Sequence, residues 1–280
     1  MPTFLAADGT ELAYQVTGAG EPLICLPGGP LSDAAYLGDL GGLAQDVPLA
    51  ILELRGTGRS GRAADPASYR CDRLSADVRA LADHLGLDTV RLLGHSAGAN
   101  IAVQYAAAYP ARVGKLLLVN PSTRAAGIEA DSDDRREVVR RRRGEPWFTD
   151  AEAAFERIQA DGGTEADWEA VTPFMYGRWD AAAQAHHEVE VASRHPEAVA
   201  ANVAEGAFDP PATRAALARF GAPVLLLAGE VDLADPPHIM AQYAAIFPAA
   251  RFVIQPGAGH FPWLDDPAAF RATITSFLAG

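Results

Sequence analysis

Short apolar runs alternate with amphipathic segments along most of this chain. Six of the runs have the length and composition of strands, and they occupy residues 22–26, 48–52, 90–93, 115–119, 224–228 and 251–254. Leu116 to Val119 and Val224 to Ala228 contain no polar residue, as is expected of strands buried on both faces of a parallel sheet. Strands that alternate with helices predict an α/β fold with a doubly wound, mostly parallel sheet.

The two ends of the chain add a hairpin and a helix to this pattern. Asp8 and Gly9 separate the runs 3–6 and 11–16, and their turn chemistry predicts an antiparallel N-terminal hairpin. Helical spacing of apolar residues predicts one helix that ends near Gly86 and a last helix over 267–278. We therefore expect residues 1–121 and 212–280 to form one α/β core.

The alternation breaks between Ser122 and Pro211. This segment is rich in Ala, Glu, Asp and Arg, with aromatic residues scattered through it, and has the character of helices rather than strands. An insertion of this size at one end of a sheet usually covers a cleft. We expect residues 122–211 to form a helical cap.

Composition and charge exclude several classes of partner. Of the 280 residues, 49% are hydrophobic and 21% charged, which suits one substantial globular core with an insertion. The formal net charge of -13 argues against binding to nucleic acid or to an anionic membrane surface. The first ten residues do not resemble a secretion signal and no stretch approaches a membrane span. We expect a cytoplasmic protein.

Cysteine usage indicates neither a disulfide framework nor a metal site. The chain has two cysteines, Cys25 and Cys71, and neither belongs to a CxxC motif or a Cys/His cluster. We expect buried, inert thiols, no metal and no cofactor.

The segment from Gly94 to Gly98, with Ser96 at its centre, is the strongest chemical signal. It follows a predicted strand and precedes an Ala-rich helical stretch from Ala99 to Tyr109. This is the context of a nucleophile elbow, in which a sharp turn projects a serine into a cleft and glycines let strand and helix close around it. The alternative is a serine in an ordinary strand-to-helix turn.

Candidate partners for Ser96 occur downstream in the order acid, then histidine. A serine needs a base to take its proton, and the base needs an acid that holds its tautomer. Asp232 follows the apolar run 224–228, and His260 lies in a Gly-rich loop after 251–254. Both positions are at carboxyl ends of strands, where ligands bind in open α/β sheets. Glu230 and Asp235, in the same turn as Asp232, are alternative acids.

A Gly-rich loop after the run 22–26 predicts an oxyanion hole. Acyl transfer needs two N–H donors aimed at the developing oxyanion, and we assign them to Gly29 and Ala97. Gly28 is the fallback donor. The alternative is a plain Gly/Pro turn.

Together these residues resemble the α/β-hydrolase superfamily over nearly the whole chain outside the insertion. The segments 27–30 (PGGP) and 53–60 (ELRGTGRS) are similar to motifs of proline iminopeptidase-like capped serine hydrolases. Pro27 stands where that motif has histidine, and Glu53 stands where it has aspartate. The resemblance implies the α/β-hydrolase fold and a Ser-Asp-His triad.

The resemblance also implies that the cap supplies substrate-binding residues. In proline iminopeptidases, cap glutamates pair with the free amino terminus of the substrate. Among the glutamates of the cap, the candidates for this role are Glu188, Glu190, Glu197 and Glu205. Our candidate substrate-binding residues are Gly28, Trp147, Phe174, Tyr176 and Glu188.

We interpret the chain as a serine hydrolase that cleaves an ester or amide of a small molecule through an acyl-enzyme on Ser96. Carboxylic-ester hydrolysis is the preferred reaction, and proline iminopeptidase-like aminopeptidase action is the alternative. A non-catalytic small-molecule receptor and a lyase that uses the same site are rivals of other classes. The sequence leaves the oligomeric state open.

Overall fold

One eight-stranded sheet organises the molecule. A computed structural model describes residues 1–193 and 196–280. The strands run in the spatial order β1-β2-β4-β3-β5-β6-β7-β8, and their bounds are β1 Thr3–Leu5, β2 Glu11–Thr17, β3 Leu23–Leu26, β4 Leu49–Leu52, β5 Val90–His95, β6 Val113–Val119, β7 Val224–Gly229 and β8 Ala250–Gln255. Pairings β1-β2 and β2-β4 are antiparallel, and the five others are parallel. The predicted sheet and hairpin are confirmed.

Helices connect the parallel strands and fill the insertion. They are α1 Cys71–His84, α2 Gly98–Ala108, α3 Ser132–Arg141, α4 Phe148–Asp161, α5 Glu165–Ala170, α6 Ala181–Ala192, α7 Pro196–Asn202, α8 Pro210–Leu217, α9 Pro237–Ala244, α10 Pro262–Asp265 and α11 Pro267–Ala279. No helix within the two described ranges is long and apolar enough to cross a membrane.

Two apolar layers cover the two faces of the sheet. One face packs against α1, α2 and α9, through residues such as Val78, Ile101 and Met240. The other packs against α11 and the loop after β3, through residues such as Phe270 and Tyr36. Full burial of each large apolar side chain contributes roughly 1.5–3 kcal/mol. The sheet is therefore doubly wound, as the alternation of strands and helices predicts.

The segment between β6 and β7 has an apolar cluster of its own. The cluster joins α3, α4 and the turn after α5 through Val139, Phe155 and Phe174, and it extends to Leu233 in the loop after β7. At the start of α3, the Asp131 side chain accepts the N–H groups of Asp133 and Asp134, while Asp134 bonds back to the N–H of Asp131. The insertion is thus helical and packs onto the carboxyl-end loops of the sheet.

Strand register brings four distant loops to one edge of the sheet. The last residue of β3, Leu26, pairs with Gly94 of β5, and His95 pairs with Val119 of β6. In the adjacent pair, Gly229 at the end of β7 lies opposite Gln255 at the end of β8. The segments predicted to carry chemistry therefore meet at the carboxyl edge.

Candidate active site

Ser96 occupies a left-handed turn between β5 and α2. Its φ of 51° is a conformation that non-glycine residues rarely adopt. The flanking glycines permit the turn because a Cβ on Gly94 would lie 2.6 Å from Ala99 Cα, and one on Gly98 would collide with the Leu26 carbonyl oxygen. Ser96 lies in the wall of a cavity. The strand-turn-helix arrangement expected around it is present.

His260 is hydrogen-bonded to Asp232 at the ends of two neighbouring strands. The His260 Nδ1 lies 2.9 Å from Asp232 Oδ2, and both side chains are buried. The other carboxylate oxygen of Asp232 accepts the Ala234 N–H at 2.9 Å. With Nδ1–H donating to the carboxylate, the Nε2 atom of His260 is left as the basic nitrogen. His260 and Ser96 line the same cavity.

The charges around His260 favour its protonated form. Burial, the largest single influence, lowers the pKa of the imidazole, whereas the charge and hydrogen bond of Asp232 and the charges of Asp235 and Glu190 raise it. The net effect raises the pKa of His260 above its ordinary value. Burial and the neighbouring charge of Asp232 raise the pKa of the Asp235 carboxyl to about 7.

Glu230 and Asn120, which lie near Asp232, each bond to backbone groups of neighbouring loops. Glu230 accepts the Gly257 N–H at 2.8 Å and so holds the loop that leads to His260. Asn120, which follows β6, accepts the Gly229 N–H at 2.6 Å and donates to the Gly259 carbonyl at 2.7 Å. Of the three acids in the turn after β7, Asp232 is the one hydrogen-bonded to His260.

A buried chain of hydrogen bonds links the Gly-rich loop, the turn at Ser96 and the His260 loop. The Gly28 N–H donates to the Tyr36 hydroxyl at 2.6 Å. That hydroxyl lies 2.8 Å from His95 Nδ1, and His95 Nε2 lies 2.9 Å from the His260 carbonyl oxygen. The carbonyl can only accept, so His95 carries its proton on Nε2 and the Tyr36 hydroxyl donates to Nδ1. Burial, followed by the charge of His260, holds the pKa of His95 well below its usual value.

The same chain continues into the insertion. His186 of α6 donates from Nε2 to the Tyr36 carbonyl oxygen at 2.9 Å, and its Nδ1 lies 3.0 Å from the Tyr176 hydroxyl. Sequence reasoning missed Tyr36, His95 and His186 as site residues. The position of His95 directly before Ser96 was an available signal, whereas Tyr36 and His186 reach the site only through tertiary contacts.

The cavity at Ser96 has a volume of about 240 Å³, and its wall is polar and apolar in about equal parts. Its lining residues come from the core loops and from the insertion, and they are Gly29, Tyr36, His95, Ser96, Thr172, Met175, Tyr176, His187, Glu190, Ala234, His260 and Phe261. Gly28 lies directly behind this wall, because a Cβ placed on it would be 2.8 Å from Ser96 Cβ and 3.2 Å from the Ala97 nitrogen. Of the residues expected to bind substrate, Tyr176 lines the cavity.

Trp147, Phe174 and Glu188 do not line this cavity. Phe174 is completely buried and packs edge-on against Trp147, with ring centroids 5.0 Å apart, inside the apolar cluster of the insertion. Glu188 is exposed. It projects from α6 about 100° away from His187, whereas His187 and Glu190 are three residues apart and share the helix face that meets the cavity. Glu190, rather than Glu188, is therefore the α6 glutamate that lines the cavity.

Two candidate glutamates of the insertion are left, Glu197 and Glu205. Glu205 is exposed. The Glu197 side chain and His195 lie outside the described residues. Among the side chains that are described, no three His, Cys, Asp or Glu residues are grouped as a metal site. Cys25 and Cys71 are free and buried, and burial raises the pKa of both thiols.

The comparisons with known proteins agree with this architecture. A family model described as the alpha/beta hydrolase fold matches residues 21–267. The chain belongs to the α/β-hydrolase fold family. It is a hydrolase of that family, and several of its relatives are named as hydrolases of different kinds.

Three relatives illustrate the range of activities in the family. The chain is 25% identical to a proline iminopeptidase of Heyndrickxia coagulans, over 98% of this chain and 97% of the relative. It is 29% identical to the putative carbamate hydrolase RutD of Caulobacter segnis, over 96% and 97% of the two chains. A thermophilic esterase from Thermogutta terrifontis has a TM-score of 0.69 and 26% identity, with 99% and 97% of the chains covered. The names of these three relatives thus differ in the kind of hydrolase that they describe.

Proposed function

We propose that this α/β hydrolase is a serine hydrolase in which His260 deprotonates Ser96 for attack on an ester or amide carbonyl. The 2.9 Å hydrogen bond between His260 and Asp232, in a cavity that Ser96 also lines, is the observation that carries the proposal. Asp232 holds the Nδ1–H tautomer and stabilises the imidazolium that forms. The protonated His260 then gives its proton to the leaving alcohol or amine, and a water deprotonated by His260 releases the acid from Ser96.

Gly29 and Ala97 are the proposed oxyanion donors. The donors in an acyl-transfer site are commonly the N–H after the nucleophile and one from the loop after the third strand. Gly29 lines the cavity, and a Cβ placed on the neighbouring Gly28 would lie 3.2 Å from the Ala97 nitrogen. The Gly28 N–H already donates to Tyr36, which favours Gly29 over Gly28 as the second donor.

Residues 122–211 are proposed to act as a cap. Thr172, Tyr176 and Glu190 of this segment stand in the same cavity wall as Ser96 and His260. A cap that closes over a small cavity excludes water and fixes the substrate, and this strengthens every polar interaction inside it. We therefore propose that the carboxyl edge of the core and the insertion together bind the small-molecule substrate.

Ester hydrolysis is the preferred reaction, and aminopeptidase action is the second candidate. The similarity to an esterase at 26% identity supports the first. Glu190 in the cavity wall and the 25% identity to a proline iminopeptidase support the second, because a carboxylate there suits a cationic amino terminus.

The decisive experiment tests whether chemistry depends on Ser96. The wild type should react covalently with a fluorophosphonate and hydrolyse p-nitrophenyl acetate. Ser96→Ala should lose labelling and at least about 10⁴-fold in kcat. Ser276→Ala, which changes an exposed serine of α11, should behave as the wild type. Equal labelling or turnover in Ser96→Ala would exclude the proposed mechanism.

The same assay separates the competing reactions. Faster cleavage of proline p-nitroanilide than of the ester would indicate the aminopeptidase. Labelling of Ser96 without turnover of either substrate would favour a receptor or a lyase.

A further inference from the structure

A second and larger cavity adjoins the one that contains Ser96. Its volume is about 730 Å³, within the range of pockets that hold drug-sized ligands. Four residues line both cavities, and they are Thr172, Met175, His187 and Ala234. The two spaces therefore share a wall directly beside the proposed catalytic groups.

The walls of the second cavity are predominantly apolar. Phe155, Ile158, Val171 and Leu233, which line it, are buried members of the apolar cluster of the insertion. The smaller cavity, in contrast, contains His95, Ser96, Glu190 and His260. The two adjoining cavities thus combine a chamber that contains the proposed catalytic groups with an apolar compartment.

Most polar side chains in the second cavity already have partners within the protein. His187 Nε2 lies 3.4 Å from Glu169 Oε2. The Arg135 guanidinium donates to the Ala130 carbonyl at 2.7 Å, and Gln159 accepts from the Ser132 hydroxyl at 2.5 Å. The compartment therefore offers a ligand mainly apolar contact.

Exposed apolar side chains mark the mouth of the compartment. Trp168 is 58% exposed and Val191 is 42% exposed, and both line the cavity. The Trp168 ring is held in place by a hydrogen bond from Nε1 to the Gly162 carbonyl at 3.1 Å. Apolar side chains left in water around a concave site are typical of a surface that binds an apolar group.

We propose that this apolar compartment binds a bulky apolar group of the substrate while the scissile carbonyl lies in the chamber at Ser96. The proposal rests on the proposed serine hydrolase and names its substrate class: esters or amides that carry a medium-length alkyl or an aromatic group. Short-chain esters then occupy the chamber alone and gain nothing from the compartment. Longer ones gain apolar burial, which adds binding energy with each buried methylene.

Chain length provides the first test. In a p-nitrophenyl ester series, kcat/KM should rise at least about tenfold from acetate to octanoate. A parallel series of acetate esters with alcohols of two to eight carbons tests the other side of the bond. A rise in either series supports the proposal and assigns the compartment to that side. Flat kcat/KM in both series overturns it.

Two valines of α6 form a matched pair for the second test. Val191 lines the compartment, whereas Val189, which is 43% exposed, does not. Val191→Trp should lower kcat/KM for the longer ester at least about tenfold and leave acetate hydrolysis within twofold. Val189→Trp should change neither. An equal effect of the two variants on the longer ester would contradict the proposal.

Two further measurements complete the test and allow failure of the proposed function to be distinguished from failure of this inference. Trp168→Ala, which removes an exposed wall without filling the space, should also reduce the preference for longer esters, and thermal unfolding should verify that each variant is folded. Failure of the proposed function appears as acetate hydrolysis that survives Ser96→Ala. Failure of this inference alone appears as Ser96-dependent hydrolysis that ignores chain length.

Discussion

At the scale of single residues, the most informative feature is the buried hydrogen-bond chain through Tyr36 and His95. It joins the backbone of Gly28, beside the proposed oxyanion donors, to the backbone of His260, the proposed base. Neither side chain performs a step of the proposed reaction. Their effect is positional, because they fix the separation of two loops whose relative placement determines the reaction geometry.

Tyr36→Phe tests this positional effect. Removal of the hydroxyl frees the Gly28 N–H and leaves His95 Nδ1 without its donor, so we expect kcat to fall about ten- to a hundredfold with little change in KM. Tyr105→Phe is the matched control, since its buried hydroxyl has no hydrogen-bond partner among the described residues. His95→Gln, with one acceptor and one donor, should retain more activity than His95→Leu. Equal kcat in the two tyrosine variants would contradict the role.

Asp235 offers a residue-scale test by pH. The base acts when neutral, so kcat/KM rises with pH through the pKa of His260. The charges of Asp232, Asp235 and Glu190 raise that pKa, whereas burial lowers it. Asp235→Asn removes one negative charge, and the rising limb should move to lower pH. Because the pKa of Asp235 is about 7, its own ionisation overlaps this limb, and the variant should also show a steeper rise.

Glu230→Gln is the control for the pH experiment. Glu230 lies in the same turn and bonds to the Gly257 backbone. Its replacement should leave the midpoint of the kcat/KM profile in place. A midpoint that is unchanged in Asp235→Asn, or that moves to higher pH, would exclude the assigned effect.

At the scale of elements, the loop from 53 to 60 shows the structural role of the motif that resembles the proline iminopeptidase-like hydrolases. Glu53, in the position where the related motif has aspartate, accepts the Arg59 N–H and closes the loop on itself. Ser60 donates to the Glu53 carbonyl at 2.6 Å and accepts the Ala13 N–H at 2.8 Å, which ties the loop to β2. Arg55 reaches α1 and pairs with Asp77. The motif therefore connects the hairpin, the sheet and α1 through hydrogen bonds and an ion pair.

Asp77→Ala should strongly weaken this connection between the loop and α1. The Arg55 and Asp77 side chains are 4% and 1% exposed, so removal of the carboxylate leaves a buried charge with Asp8 as its remaining acidic partner. We expect a loss of about 3 kcal/mol in the free energy of unfolding, measured by urea denaturation. Asp83→Ala, at an exposed pair on the same helix, should cost about 1 kcal/mol or less. Equal losses would contradict the buried-pair argument.

At the scale of the whole molecule, the cavity at Ser96 forms where the carboxyl edge of the sheet meets the segment between β6 and β7. The core edge contributes Ser96 and His260, and the insertion, with its own apolar cluster, contributes Thr172 and Glu190. His186 bonds to the Tyr36 backbone across this junction. The division at residues 122–211 is thus a proposal about function, in which the core holds the reacting groups and the insertion selects the substrate.

The sequence by itself determined the order of strands and helices and the positions of Ser96, Asp232 and His260. These follow from local rules: apolar periodicity defines the strands, and residues at the carboxyl ends of parallel strands meet at one edge. The hydrogen bond that joins His260 to Asp232 rather than to Glu230 or Asp235 required the folded loops. The local sequence pattern limits the candidate acids to three residues, and the folded geometry identifies the one that bonds to His260.

Only the tertiary structure decided which residues of the insertion reach the site. Aromatic residues such as Phe174 carry the same sequence signal whether they fill a cluster or line a cavity, and here Phe174 fills a cluster while Tyr176 lines the cavity. Glu190 rather than Glu188 meets the cavity because of the rotation of one helix against the core. The apolar compartment has no local signature either, since its walls come from segments far apart in the chain. Packing between distant segments sets these contacts, and periodicity along one segment does not encode it.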